Sequence, residues 1–213
     1  MREGASSGTL ALVTASRLKA ALLVYGALAA TAVGWGIVRG DPDLYHHPAP
    51  WLDLGALAGA ALGVALGLGV GAAVVVATRL AVRRTSWARH LHVEFRQIFG
   101  PLSTRDVMVF AVLSSVAEEL FFRGALQPAI GLGGSSLVFG LLHVGPTRRF
   151  APWTAMALAM GFVLGALYQA TGDLLAPMVA HLTINAVNLQ YITDYDPLPS
   201  HGRWPADKLP LSA

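Results

Sequence analysis

Residues 54–78 read LGALAGAALGVALGLGVGAAVVVAT, 25 residues between Asp53 and Arg79 without one charged side chain. A helix rises about 1.5 Å per residue, so this run is long enough to cross the ~30 Å hydrocarbon core of a bilayer. Glycine recurs at every fourth position, at Gly55, Gly59, Gly63, Gly67 and Gly71. Small residues at that spacing let helix backbones approach closely. Such a stripe serves either a second copy of the chain or packing within one bundle, and packing within the bundle is the expected use.

Working outward, the same arithmetic finds more spans. Nineteen uncharged residues separate Lys19 from Arg39, 23 separate Arg149 from Asp173, and 20 separate Asp173 from Asp194. Each reads as a transmembrane helix. The stretch from Asp106 to His143 is apolar as well, but Glu118, Glu119 and Arg123 interrupt it, followed by Pro128 and a Gly-Leu-Gly-Gly turn at 131–134. It reads as two helices, roughly 106–124 and 134–145, the second short for a full span. The expected fold class is all-α: a polytopic membrane bundle of about six helices with a polar site between them. The first helix has the basic flank of a secretory signal, but its 19-residue apolar stretch exceeds the ~7–15 of a signal core, so a membrane span is the preferred reading.

Composition agrees. Hydrophobic residues make up 54% of the 213 and charged residues 13%, against about 25% charged in a soluble domain. The net charge of +3 is too small for a nucleic-acid partner. With no cysteine, disulfides, thiolate metal sites and cysteine nucleophiles are excluded. The basic residues are not spread evenly. The loop 79–105 holds Arg79, Arg83, Arg84, Arg89, Arg96 and Arg105 against Glu94, the loop near 146–152 holds Arg148 and Arg149, and the N-terminus holds Arg2, Arg17 and Lys19. The intervening loops 40–53, 125–133 and 171–173 hold no Lys or Arg. Cytoplasmic loops are the basic ones, so six helices alternate with the N-terminus inside, as a multi-pass protein of the inner membrane. The tail 193–213 holds two basic and three acidic residues and gives no vote. Leu80, Val82, Trp87, Leu91, Phe95, Ile98 and Phe99 lie among the arginines of the loop 79–105. The loop is therefore either an amphipathic helix on an anionic lipid surface or a solvated linker.

The charges outside loops carry the functional reading. The later helices enclose Glu118, Glu119, Arg123, His143 and His181. A charge at the centre of a span costs about 2.5–3.5 kcal/mol on insertion scales, and its default meaning is a functional site. Glu119 and Arg123 are four residues apart and share a helix face, so they pair. Glu118 is turned about 100° away and lacks a local partner, which leaves it available as a general base. His181 and Asn185 share a face in the same way. One Glu, two His and one Asn suit a Zn²⁺ site with an open water position. They equally suit a metal-free site in which Glu118 and His143 hold a water while His181 and Asn185 stabilise an oxyanion. No His-Glu-x-x-His helix is present. Ser114, Ser115, Ser135 and Ser136 lack a Gly-x-Ser-x-Gly elbow, which argues against a serine nucleophile. His46, His47, His90 and His92 lie in loops and read as surface residues.

Three motifs now stand in order: Glu118-Glu119-x-x-x-Arg123, Phe139-x-x-x-His143 and His181-x-x-x-Asn185. With the run Ser-Ser-Val-Ala-Glu-Glu-Leu-Phe-Phe-Arg-Gly-Ala-Leu-Gln-Pro around the first, the chain resembles the CPBP group of intramembrane proteases, the CAAX prenyl endopeptidases and bacteriocin-processing or immunity (Abi) proteins. The resemblance covers 105–192. It implies a catalytic core there, with two helices and the basic loop at 1–104 before it and a tail at 193–213 after it. It implies an endopeptidase cutting membrane-associated proteins or peptides at or within the bilayer. Glu118 and His143 then activate the water and His181 and Asn185 complete the site, with Glu119 and Arg123 as members of the first motif. The family is classed with metallopeptidases, so Zn²⁺ on Glu118, His143 and His181, with Asn185 as a further candidate, is the implied cofactor. The expected partners are the bilayer and a membrane protein or peptide substrate; the oligomeric state is not legible. A non-catalytic scaffold or immunity protein on the same fold is the alternative. An ion transporter, which also uses intramembrane His and Glu, is disfavoured because no inverted repeat of broken helices is found.

Overall fold

The computed structural model describes residues 3–52 and 54–198, with side chains from residue 16 onward. Arg2 and the tail residues 199–213, on which the charge reading above partly drew, lie outside the described residues. Among the described residues the fold is all helical. Helix α1 spans Glu3–Val38 and α2 spans Ala56–Arg84. Helix α3, Ser86–Phe99, joins α2 to α4, Thr104–Glu118. A π-helical segment, Glu119–Leu126, continues α4 into α5, Gln127–Leu142, and α6, Ala151–Thr171, and α7, Leu175–Asp194, close the bundle.

Four helical stretches are long and apolar enough to cross a membrane: Ser16–Val38, Ala56–Arg84, Thr104–Leu142 and Arg148–Thr171. Helix α7, expected as a span at 174–193, is 20 residues long but is not among these four by composition. His181, Asn185, Asn188 and Gln190 dilute its hydropathy. It nevertheless lies along α2, and this contact explains the glycine stripe. A Cβ on Gly67 would stand 2.6 Å from the Ala176 carbonyl oxygen and 2.8 Å from Val179 Cβ, and one on Gly71 would stand 2.7 Å from Thr183 Cβ. The stripe packs inside the bundle, as expected.

The stretch 104–142 also departs from its predicted boundaries. Its first arm begins at Thr104, where Ser103 and Asp106 form a reciprocal cap: the Asp106 backbone N–H donates to Ser103 Oγ at 3.2 Å and the Ser103 N–H to the Asp106 carboxylate at 3.1 Å. The arm runs through Pro128 to Ile130. The preceding π-helical turns have already offset the regular ladder, so the N–H that proline lacks is least missed there. The reversal comes at Gly131, whose φ of 77° and ψ of 169° suit only glycine. In a straight helix Phe122 and Phe139 would be about 25 Å apart. Their ring centroids are 4.9 Å apart, so the chain folds back as an antiparallel hairpin. Glu118 and His143 stand at nearly equal sequence distance on either side of Gly131 and come level with each other.

The two ends of the bundle are chemically distinct. At one end the loop after α1 joins the α6–α7 turn: the His47 N–H donates to Gly172 O at 2.9 Å and the Leu174 N–H to Tyr45 O at 3.0 Å. At the other end α3 meets the α5–α6 connection, with Arg149 bonded to Glu94 at 2.8 Å and Phe95 packed edge-on against Phe150 and Trp153. The arginine-rich segments therefore share one end, as the alternation predicts.

Helix α3 is amphipathic, not a solvated linker. Ala88, Leu91, His92 and Arg96 are buried, and Trp87 and Ile98 are half-exposed. His92, read above as a surface residue, is a correction. It packs edge-on against Tyr191 and Tyr195 and its Nε2 meets the Tyr195 carbonyl at 2.8 Å. Arg96 donates to the carbonyls of Ile192 and Thr193. These contacts satisfy carbonyls that the end of α7 leaves without helical partners. Burial lowers the His92 pKa, with the hydrogen bond to Tyr195 opposing. The folded state thus favours neutral imidazole. The docking contribution is complete above the ordinary value of ~6.5 and is lost as pH falls through the lowered folded value. Protection factors over 86–99, corrected for the pH dependence of intrinsic exchange, are expected to fall as pH drops below about 6.5, and to be much less pH-dependent in His92→Gln.

Candidate functional site

The π-helical segment and the hairpin set the site. Glu119 and Arg123 lie on the π segment, both almost wholly buried. Arg123 Nη1 donates to Glu119 Oε1 at 3.2 Å, its Nε lies 3.2 Å from Glu119 Oε2, and Nη2 donates to Gly161 O at 3.3 Å. Its guanidinium also stands 4.5 Å from the centroid of the Phe139 ring, a cation–π contact. The expected Glu119–Arg123 pair is present, and it is doubly used: His181 Nδ1 lies 2.7 Å from Glu119 Oε1.

That last contact decides how the site is built. A carboxylate is an acceptor, so His181 Nδ1 carries a proton, and in the neutral ring its Nε2 presents a lone pair. His143 is oriented likewise. Its Nδ1 meets the Phe139 carbonyl at 2.7 Å, its ring stacks on Phe139 with centroids 4.3 Å apart, and Thr154 Oγ1 donates to its carbonyl at 2.9 Å. Its Nε2 is also an acceptor. Both point at Glu118: Glu118 Oε2 is 3.7 Å from His143 Nε2 and 3.9 Å from His181 Nε2. That oxygen is buried without a hydrogen-bond partner.

Three acceptors thus face one another with no donor among them. Such a group is satisfied by water, whose two O–H bonds reach two acceptors, or by a cation. The donor types match Zn²⁺, and the Glu119–His181 and Phe139–His143 contacts have the form of the outer hydrogen bonds that orient metal-binding imidazoles. The separations exceed the ~3.4 Å that tetrahedral arms of ~2.1 Å impose, and among the described residues no three His, Asp or Glu side chains stand at ion-holding spacing.

Asn185 Nδ2 donates to Ser114 Oγ at 2.9 Å, so one of its two amide N–H groups ties α7 to a neighbouring helix. Ser135 donates to Phe122 O at 2.6 Å, tying the hairpin arms. Ser114, set aside above as a nucleophile, instead links α4 to α7. All six expected residues belong to one neighbourhood. Glu118, His143, His181 and Asn185 line a cavity of about 330 Å³, while Glu119 and Arg123 lie behind it. Sequence reasoning missed Tyr25 and Trp153, which line the same cavity; isolated aromatics in apolar helices carry no spacing signal.

Residues 101–187 match the model of a family described as type II CAAX prenyl endopeptidase Rce1-like. This segment begins before α4 and holds all six site residues. A Bacillus subtilis (strain 168) relative, YpbD, itself described as uncharacterized, is 40% identical over 94 residues, covering 43% of this chain and 48% of the relative. The chain thus aligns with about half the length of that curated relative. No solved structure matches. The resemblance read from the three motifs is borne out by these matches, which agree with the CPBP/CAAX-protease family and, at family level, with a protease-like enzyme.

Proposed function

We propose, from the premise that 101–187 form a CAAX-protease-like core, that this protein is an intramembrane endopeptidase hydrolysing peptide bonds of membrane-associated proteins or peptides. The observation that carries this is the convergence of the Glu118 carboxylate with the two imidazole Nε2 atoms inside an apolar bundle. Glu118 takes a proton from a water that it shares with His143 or His181, and the water oxygen attacks the peptide carbonyl. The proton passes from Glu118 to the departing amine. Glu119 and Arg123 hold His181 in the tautomer that leaves Nε2 facing Glu118, and Asn185 fixes α7 against α4 through Ser114. The basic end of the bundle is read as cytoplasmic.

We include Zn²⁺ in this reading, held by Glu118, His143 and His181, where it would supply Lewis acidity toward the water and the carbonyl. Elemental analysis of the purified protein tests it: about one zinc per chain is expected, falling well below that in His143→Ala. An absence of zinc from active wild-type protein removes the ion and leaves the water-only site.

The function is tested by comparing membrane proteomes of cells carrying wild type and Glu118→Gln. At least one membrane protein or peptide is expected in shortened form only with wild type. Identical proteomes, with a cellular phenotype retained by the variant, would favour the scaffold or immunity reading on the same fold.

A further inference from the structure

His143 stands past the last turn of the helix that carries it. Its φ of −101° and ψ of 24° are not helical, and its N–H reaches back only to Gly140 O. Helix ends fray, and carbonyls there lack helical partners. Yet Nε2 of this residue has to face Glu118 Oε2, 3.7 Å away. The first turn of α6 supplies two contacts that hold it.

The first contact is on the main chain. Thr154 Oγ1 donates to His143 O at 2.9 Å, although the Phe150 carbonyl of the preceding turn lies at 3.4 Å. A threonine inside a helix can donate to the carbonyl four residues back, and Thr31, Thr78, Thr171 and Thr183 do so here at 2.7–2.8 Å. A hydroxyl has one hydrogen to give. At Thr154 the shorter bond leaves the helix and closes the open end of α5. The second contact is on the ring. The Trp153 ring centroid lies 5.2 Å from that of the imidazole, with the planes tilted by 59°. Trp153 is itself wedged by Phe95 at 5.3 Å and Phe150 at 6.1 Å. Phe95 belongs to α3, which precedes the matched segment 101–187.

We propose that Thr154 and Trp153 are positioning residues that clamp His143 by backbone and ring, and that Phe95 loads the clamp from α3. The bond from His143 Nδ1 to Phe139 O fixes the tautomer; the clamp fixes where the ring stands. The proposal rests on the hydrolytic reading for its effect on turnover, and on the contacts alone for its effect on the imidazole.

Magic-angle-spinning NMR of the full-length protein in phosphatidylcholine vesicles, labelled with ¹³C,¹⁵N-histidine, tests the clamp directly. The His143 signals are those absent from His143→Gln. Thr154→Val keeps the shape and removes the donor. It is expected to shift the His143 carbonyl carbon and to broaden or double the ring Cε1 signal, and Thr154→Ser is expected to restore both. Phe95 has ring contacts to Phe99, Phe150 and Trp153 and, among the described residues, none to His143. Phe95→Leu is therefore expected to broaden or double the ring signal and leave the carbonyl in place. Val163→Ala, on the exposed side of α6, is expected to change neither. An unmoved carbonyl in Thr154→Val overturns the proposal, as does a ring signal as sharp as wild type in both Thr154→Val and Phe95→Leu. Where Thr154→Val fails to fold, the ring signal in Phe95→Leu decides alone.

Cleavage of a pool of short internally quenched peptides gives the second measurement. Thr154→Val is expected to lower kcat about tenfold, the lower end of what loss of an orienting partner does, with KM nearly unchanged. Thr154→Ser is expected to recover most of that loss. A raised KM with unchanged kcat overturns the proposal, since that marks a substrate contact. Cleavage undiminished in Glu118→Gln removes the hydrolytic reading instead, and the NMR result then decides the clamp.

Discussion

Glu118→Gln is expected to lower peptide cleavage by about 10²–10⁴-fold, which is about 3–5 kcal/mol of transition-state stabilisation. The amide is nearly the same size as the carboxylate, so packing is preserved. It differs in that it cannot take a proton from water. It also places an N–H among acceptors, which satisfies the two imidazole lone pairs and competes with the water for them. Because Glu118 Oε2 has no hydrogen-bond partner in the fold, its loss leaves no buried donor stranded. Thermal unfolding in detergent is therefore expected to stay near wild type or rise slightly. Purified protein assayed for cleavage and for unfolding in parallel gives the comparison, and unaltered turnover in a folded Glu118→Gln protein rules out the general-base role.

The opposite pattern is expected for Arg123→Met. Arg123 is one of the largest fully buried side chains, and Glu119 beside it is 0% exposed. Removing the guanidinium leaves a carboxylate with only His181 for company and strips a donor from Gly161 O. Breaking a buried pair by deleting one partner costs about 3–5 kcal/mol, so stability should fall by that order. Activity should fall with it, because Glu119 orients His181. Replacing both members, as Arg123→Met with Glu119→Leu, removes the stranded charge and is expected to recover part of the stability but none of the activity. A double-variant cycle on denaturation measures this. If the two single losses simply add, the pair is not the structural support described here.

How far the sequence carried these conclusions differs by kind of feature. Spans were legible because lipid demands long uncharged runs, and the Arg/Lys segregation was legible because it is written directly in the loops. The pairing of Glu119 with Arg123 followed from helical spacing. The role of the second carboxylate was legible only by elimination: the geometry shows Glu118 free and Glu119 committed to both Arg123 and His181. Two things escaped. The length of the first arm of the hairpin did, because Pro128 reads as a break and a π-helical turn has no sequence signature. His92 was misplaced because its burial depends on α3 folding back onto the end of α7, a contact between segments about a hundred residues apart.

The fold of 104–142 bears on how the chain enters the bilayer. A lone arginine or glutamate crossing the hydrocarbon layer is expensive, but Arg123 and Glu119 sit one turn apart on the same arm and can neutralise each other before any neighbour arrives. The hairpin can thus be delivered by the insertion machinery with that pair compensated and Glu118 as the one carboxylate left unbalanced. Histidine 181, by contrast, lies on α7, which is made after 104–142. Glu118, His143 and His181 therefore come together only once α7 has docked along α2 and α4.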